Sequence, residues 1–403
     1  MKKSLTLRYA LHHFAYWAAA AGIMSFATTY LLYKGFHPSS VGTLMACGII
    51  LSCVTQPLLA AVADKSAKPM IPRLMAILSL VSTGCFALLL SGLLPNSLFP
   101  LLYLGGVWSF DAMIPLLNSL SVYYSRRGYR ISYGVGRGLG SIAYALSALA
   151  IGYVMEAWGA DWMIRIILVL LPLMILLILG YPRPDPEEHA ICGPDEEQKG
   201  CPCSIPVFFS RYRWYCVSLL GVLFLAMFHS MTENYLISIM ARLGGDSSHV
   251  GVALSIATVL EAIVMFFLAA IRARVRDTSL MRIAGFSFLL KSVLLYVAPS
   301  IHFIYGIQFL QMTTYAFLAP IMVFHAGDRV APADMVKGQA FIAAAYSLGC
   351  AGGNFFGGQF MEWRGVDALL IAGIVMAAIG TLALLLTVEH KDAWLTENKG
   401  DPA

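Results

Sequence analysis

Apolar runs of roughly 20 residues, each long enough to cross the hydrocarbon core of a bilayer, recur from one end of this chain to the other. Gly, Pro, Ser or charge clusters break them every 25 to 40 residues or so, which leaves about twelve. The expected spans are 9–33, 40–63, 70–94, 98–123, 132–157, 161–181, 213–242, 247–271, 280–299, 301–327, 336–361 and 366–388. Backbone exposed to lipid must satisfy its own hydrogen bonds, so these spans are expected as helices. The alternation of a membrane-barrel strand is missing. With 59% hydrophobic and only 12% charged residues, 403 residues cannot cover a globular surface with polar groups. The expectation is an all-α integral membrane protein with about twelve transmembrane helices. The opening "MKKSLTLR" followed by apolar residues resembles a secretion signal, but the run through Leu32 is too long for one. It reads as an uncleaved first span.

The basic residues set the orientation. One side collects Lys2, Lys3, Arg8, Lys65, Lys68, Arg73, Arg126, Arg127, Arg130, Arg211, Arg213, Arg272, Arg274, Arg276, Arg282, Arg329, Lys337 and Lys391. The other holds little beyond Lys34, Arg242 and Arg364. The crowded side is expected to be the cytoplasm, with both termini there, in a bacterial-type inner membrane. The net charge of +5 is then a topology signal that implies no nucleic-acid partner.

The long polar stretch "YPRPDPEEHAICGPDEEQKGCPCSIP" reads as a linker. It predicts a first bundle over 1–181, a cytoplasmic linker over 182–210, a second bundle over 211–390 and a tail over 391–403. Cys192, Cys201 and Cys203 in the linker fit no common zinc spacing and are expected to be free thiols. No metal or cofactor is expected.

The two halves repeat each other. "GFHPSSVGTLMACGIIL" from Gly35 is echoed by "GGDSSHVGVALSIATVL" from Gly244, about 209 positions later. "YVMEAWG" closing at Gly159 is echoed by "QFMEWRG" closing at Gly365. Two six-helix halves that start on the same side are parallel repeats, an arrangement that places a substrate near the midplane and works by alternating access.

Nearly the whole chain resembles a major facilitator superfamily transporter. "AVADKSAKPMIPR" is similar to the superfamily's signature loop, with Asp64 and Lys65 in the expected places and Ala60 and Ala67 where glycines are usual. The resemblance implies that Asp64 and Lys65 belong to a cytoplasmic gate. "IPLLNSLSVYYSRRGYRISYGVGRGLGSIAYAL" resembles the branch containing lactose and phenylpropionate permeases, which implies a substrate-binding role for Arg137. Glu261 in "VLEAIVMFF" matches that branch's eighth-helix glutamate, and Lys291 stands where arginine is usual. Asn118 replaces an expected acid. Gln311 and Thr314 replace a titrating pair on the tenth helix, so the permease's proton relay does not transfer unchanged.

Charges inside membrane helices cost about 2.5–3.5 kcal/mol each on insertion scales and usually face a cavity or a partner. Asp111, Arg137, Glu233, Glu261 and Lys291 stand at such depths, with His229 nearby. His229 and Glu233 are four apart and share a helix face, as do Asp111 and Asn118 seven apart. The expected substrate-binding set is Arg137, Asn118, Asp111, Tyr144, Lys291 and Gln311. The expected proton-coupling set is Glu261, Glu233 and His229, with Glu261 and Lys291 forming an ion pair. Tyr144, two turns from Arg137, suits stacking. His12 and His13 are expected at the membrane interface, and His325 at a helix end.

No GxSxG elbow, HExxH helix or nucleotide-binding loop occurs, so an enzyme or ATP-driven pump is not expected. The expected partners are a small-molecule substrate, protons and the lipid bilayer, in a monomer. The leading expectation is proton-coupled import of a sugar, oligosaccharide or nucleoside. An organic-anion symporter and a proton-driven multidrug exporter are the alternatives.

Overall fold

In the computed structural model, residues 4–65, 70–93, 95–125, 127–182 and 204–389 are described, and they are almost entirely helical, with one isolated bridge between Ser4 and Arg130. In chain order the helices are α1 (Thr6–Ala20), α2 (Ala27–Tyr33), α3 (Pro38–Lys65), α4 (Met70–Ser91), α5 (Phe99–Asp111), α6 (Ile114–Ser125), α7 (Tyr133–Trp158) and α8 (Asp161–Leu179). They continue as α9 (Ile205–Arg211), α10 (Arg213–Asn234), α11 (Leu236–Ala241), α12 (Ser247–Arg272), α13 (Asp277–Tyr296), α14 (Ile301–Ile307), α15 (Tyr315–Arg329) and α16 (Met335–Glu389).

Among the described residues, ten helical stretches are long and apolar enough to cross a membrane. The last of them is two crossings. At Gly365 the backbone turns to φ 72°, ψ −159°, a conformation open to glycine, so α16 is divided there. A further crossing, α1 to α2, is too interrupted to count as a single long helix, because Ala21–Ser25 forms a π segment within it. About twelve crossings result, as the spacing of apolar runs predicts.

The repeat is visible in the backbone. Gly35 and Gly244 both have positive φ, 84° and 78°, and each opens the turn into the next long helix, α3 or α12. Gly159 and Gly365 match in the same way, with φ 94° and 72°.

The chain divides into two compact units. The first comprises Met1–Gly193 with Asn234–Val259, and the second Pro194–Glu233 with Leu260–Ala403. α12 belongs to the first unit up to Val259 and to the second from Leu260. In the first unit α1 packs on α7 and α8, and α4 on α5 and α8. Small residues make the α1–α7 crossing close: a Cβ on Gly140 would fall 2.4 Å from the Trp17 ring. In the second unit α13 packs on α15 and α16. Leu, Ile, Val and Phe on the outer helix faces remain exposed in the protein alone, Phe266 and Leu101 among them, as lipid-facing positions require.

The linker cysteines Cys192, Cys201 and Cys203 lie outside the described residues. Cys47, Cys53 and Cys85 are free thiols.

Candidate functional site

The breaks recur in every third crossing. The first crossing is interrupted at Ala21–Ser25, the fourth between Asp111 and Ile114, the seventh at Tyr235, and the tenth over Gln308–Met312, where the helix tightens to 3₁₀. Broken membrane helices expose backbone polar groups, which is tolerable only where protein or a polar cavity satisfies them. The candidate residues gather at these breaks.

The fourth-crossing break has a readable cause. Pro115 has no N–H to close onto the carbonyl of Asp111 four residues earlier. Gln56 of α3 lies there instead, its Nε2 3.4 Å from the Asp111 carbonyl and 3.4 Å from Oδ2. Asp111 therefore sits at the end of α5 with a partner from another helix. The break falls between Asp111 and Asn118, so the uninterrupted helix on which their shared face was expected does not exist.

Arg137 of α7 lies beside this group in the same unit. Its guanidinium carbon is 4.2 Å above the Trp17 ring, and Nη1 donates to Ser141 Oγ at 3.1 Å. Trp17 also meets Tyr144 edge-on at 6.5 Å, and the Tyr144 hydroxyl bonds to Ser25 in the π segment. Arg137 and Tyr144 thus flank one indole. Trp17 escaped the sequence reading because a tryptophan in an apolar run carries no signal of its own. The adjacent His12 and His13 are fully buried, which corrects the interfacial placement: α1 is enclosed by α7 and α8 from its first turns.

In the second unit, Lys291 of α13 is 3% exposed and donates to Gln311 Oε1 at 2.9 Å. Gln311 stands in the 3₁₀ segment of the tenth crossing, with the buried Thr314 hydroxyl 3.5 Å from the same oxygen. The carboxylates of Glu233 and Glu261 act on the lysine charge through space, so the expected direct pair with Glu261 is replaced in this conformation by an amide contact. His229 Nε2 is 3.4 Å from Glu233 Oε2, and the imidazole stacks on Tyr315 at 5.0 Å and 6°. The Glu233 side chain is 31% exposed in the protein alone, against 9% for His229. Tyr346 lies against Tyr315 at 5.7 Å. The structure thereby brings together His229, Glu233, Lys291 and Gln311, with Glu261 near enough to share their field.

His325 is buried and lies against Tyr215 at 6.1 Å, away from these groups in chain and contacts. The side chains of Asp64 and Lys65, which end α3, lie outside the described residues. Among the described residues no group of His, Cys, Asp or Glu is arranged to hold a metal ion.

A family model described as the MFS_1 like family matches residues 6–394. The chain belongs to this family, within the major facilitator superfamily. No curated protein matches the chain in sequence. Among solved structures, the nucleoside transporter NupG superposes with a TM-score of 0.79 at 15% identity, over 96% of this chain and 100% of that one. The POT family transporter PepTSo gives 0.69 at 12% identity, over 94% and 96%. A bacterial homolog of the human lysosomal transporter Spinster, in an inward-facing and occupied conformation, gives 0.64 at 13% identity, over 94% and 95%. At these identities the likeness establishes the fold. This major facilitator is a multi-pass membrane transporter.

Proposed function

We propose that the protein is a proton-coupled symporter that imports a small polar solute by alternating access. It would be a monomer in a bacterial-type inner membrane with both termini in the cytoplasm, as the bias of Lys and Arg supports. The observation that carries the coupling is the buried Lys291 ammonium, held by the neutral Gln311 while Glu233 and Glu261 act on it from further off. A buried base shared by two acids changes its balance when one acid takes a proton. Glu261 accepts a proton from outside, the attraction on Lys291 weakens, and the proton is released inside after the conformational change.

For the solute, a nucleoside leads, ahead of a sugar or oligosaccharide. Within the second unit, the coplanar His229–Tyr315 stack offers a flat surface, while Gln311 and Thr314 offer hydrogen-bonding groups beside it. The similarity of fold to NupG, a nucleoside transporter, supports the same choice. The test is uptake of labelled uridine into proteoliposomes under an inward proton gradient. Gradient-accelerated uptake whose pH dependence changes in Glu261→Gln supports the reading; uptake indifferent to the gradient ends it. Thermal stabilisation of the purified protein by lipophilic cations alone would favour the exporter.

A second reading, an organic anion as solute, rests on Arg137. Its guanidinium stacks on Trp17 and bonds to Ser141, and no carboxylate among the described residues lies within ion-pair distance. Competition of uptake by an aromatic acid, lost in Arg137→Ala, would establish that reading.

A further inference from the structure

The first unit contains buried polar atoms for which neither the fold nor the proposed coupling has a use. Both ring nitrogens of His12, the Tyr16 hydroxyl and the Tyr181 hydroxyl are buried and without a hydrogen-bond partner in the protein. Buried polar groups are ordinarily satisfied by protein or by ordered water, so these atoms are the places where water would be held.

These groups form a line. His12 and Tyr16 are four residues apart on α1 and share one face. At the inner end, the His12 ring is 6.2 Å from Tyr181, just past α8, and Tyr181 lies under the guanidinium of Arg8 at 5.9 Å. At the other end, Tyr16 stacks on Phe110 at 4.4 Å, and the adjacent Asp111 acts electrostatically on its hydroxyl. The neighbouring face of α1 carries a second line, in which Tyr9 meets His13 at 4.6 Å and Trp17 underlies Arg137; its Tyr9 hydroxyl, His13 nitrogens and Trp17 Nε1 are likewise unpartnered, and it touches the first line where Trp17 meets Tyr16 at 5.5 Å. One line ends at a carboxylate and the other at a guanidinium.

We propose that Asp111 exchanges protons with the aqueous phase at the Arg8–Tyr181 end of the bundle, through ordered water and the imidazole of His12 and past Tyr16. A proton arriving from Tyr181's side binds one ring nitrogen of His12, while the other nitrogen gives up its proton to water beside Tyr16. That water passes a proton to the Asp111 carboxylate, which becomes neutral. Histidine serves this relay because its two nitrogens exchange donor and acceptor roles. The groups facing the path are His13 on α1, Tyr124 on α6, Arg8 and Tyr9 at the mouth, and Gln56 and Ser52 of α3 and Arg137 of α7 around the Asp111 end. The inference does not depend on the identity of the solute or on Glu261.

The test is time-resolved infrared spectroscopy of the full-length protein in nanodiscs after a pH jump. A protonated-carboxyl band that titrates and vanishes in Asp111→Asn is expected. His12→Gln, which keeps a polar group but cannot carry the proton, should slow that band's response by about tenfold or more. His13→Gln, on the neighbouring line, should leave it within about twofold. Should His12→Gln fail to fold, Tyr16→Phe removes a single oxygen from the same line and is expected to slow the response likewise. Absence of an Asp111 band, or equal rates in the His12 and His13 variants, would overturn the proposal. Uridine uptake plays no part in the readout, so failure here and failure of the transport reading are separable.

Discussion

The ammonium of Lys291 lies 2.9 Å from the amide oxygen of Gln311, a neutral partner in the interrupted tenth crossing. Hydrogen bonds to charged groups are worth about 1.5–3 kcal/mol. Gln311→Leu should therefore lower stability by about that amount, measured as a downward shift in thermal unfolding in detergent. Uptake should fall with it. Gln311→Glu should restore stability and leave transport slow, because a fixed carboxylate would hold the lysine permanently; recovery of both together would mean that Lys291 takes no part in coupling.

Pro115 and Gln56 should prove energetically linked. Gln56→Ala alone should cost about 1 kcal/mol, since it removes the donor placed at the Asp111 carbonyl. Pro115→Ala supplies a backbone N–H at the same place, so in its presence the Gln56→Ala penalty should shrink. A double-mutant cycle on unfolding free energies measures this, and additivity would count against the account given for the break.

Two glycines on α7 should respond oppositely to a methyl group. Gly138 has open space around its would-be Cβ, and Gly138→Ala should raise stability by about 0.5–1 kcal/mol through helix propensity. At Gly152 the same atom would lie 2.5 Å from the Ser247 carbonyl oxygen, so Gly152→Ala should destabilise by about 1–3 kcal/mol. Parallel melting curves of the two variants decide the matter.

Acid sensitivity should contain a contribution from Asp246, in the turn before α12. Burial works against its charge, but hydrogen bonds from Ser248 and His249 outweigh that and hold its carboxyl down at about 2. The stabilisation is thus fully present above the ordinary aspartate range near 3.9, and is lost as pH falls through it toward about 2. Asp246→Asn should flatten that part of the stability profile; an unchanged acid limb would show that the turn is not ordered by these bonds.

The sequence disclosed the crossings more readily than the site. Span ends fall within a few residues of the helices because lipid thickness sets a minimum length and Gly35, Gly159, Gly244 and Gly365 punctuate the turns. The Asp111 break was legible in Pro115. The breaks at Tyr235 and Gln308–Met312 have no proline or glycine at them, and depend on packing that a single strand of sequence does not express. Lys291 and Gln311 each stood out alone, yet their contact spans 20 residues across two crossings and needed coordinates. His12 and His13 misled because the start of a first span ordinarily faces headgroups, whereas here two other helices close over it.

Where α12 meets α7, backbone comes close to backbone, and serine hydroxyls bridge the gap. A Cβ on Gly251 would sit 2.5 Å from the Ala148 carbonyl oxygen, and Ser247 and Ser255 donate to the carbonyls of Gly152 and Ala145. The Cα atoms of Gly152 and Gly251 come so near that a methyl group on either would wedge the two backbones apart and pull the hydroxyls out of reach of the carbonyls they now bond.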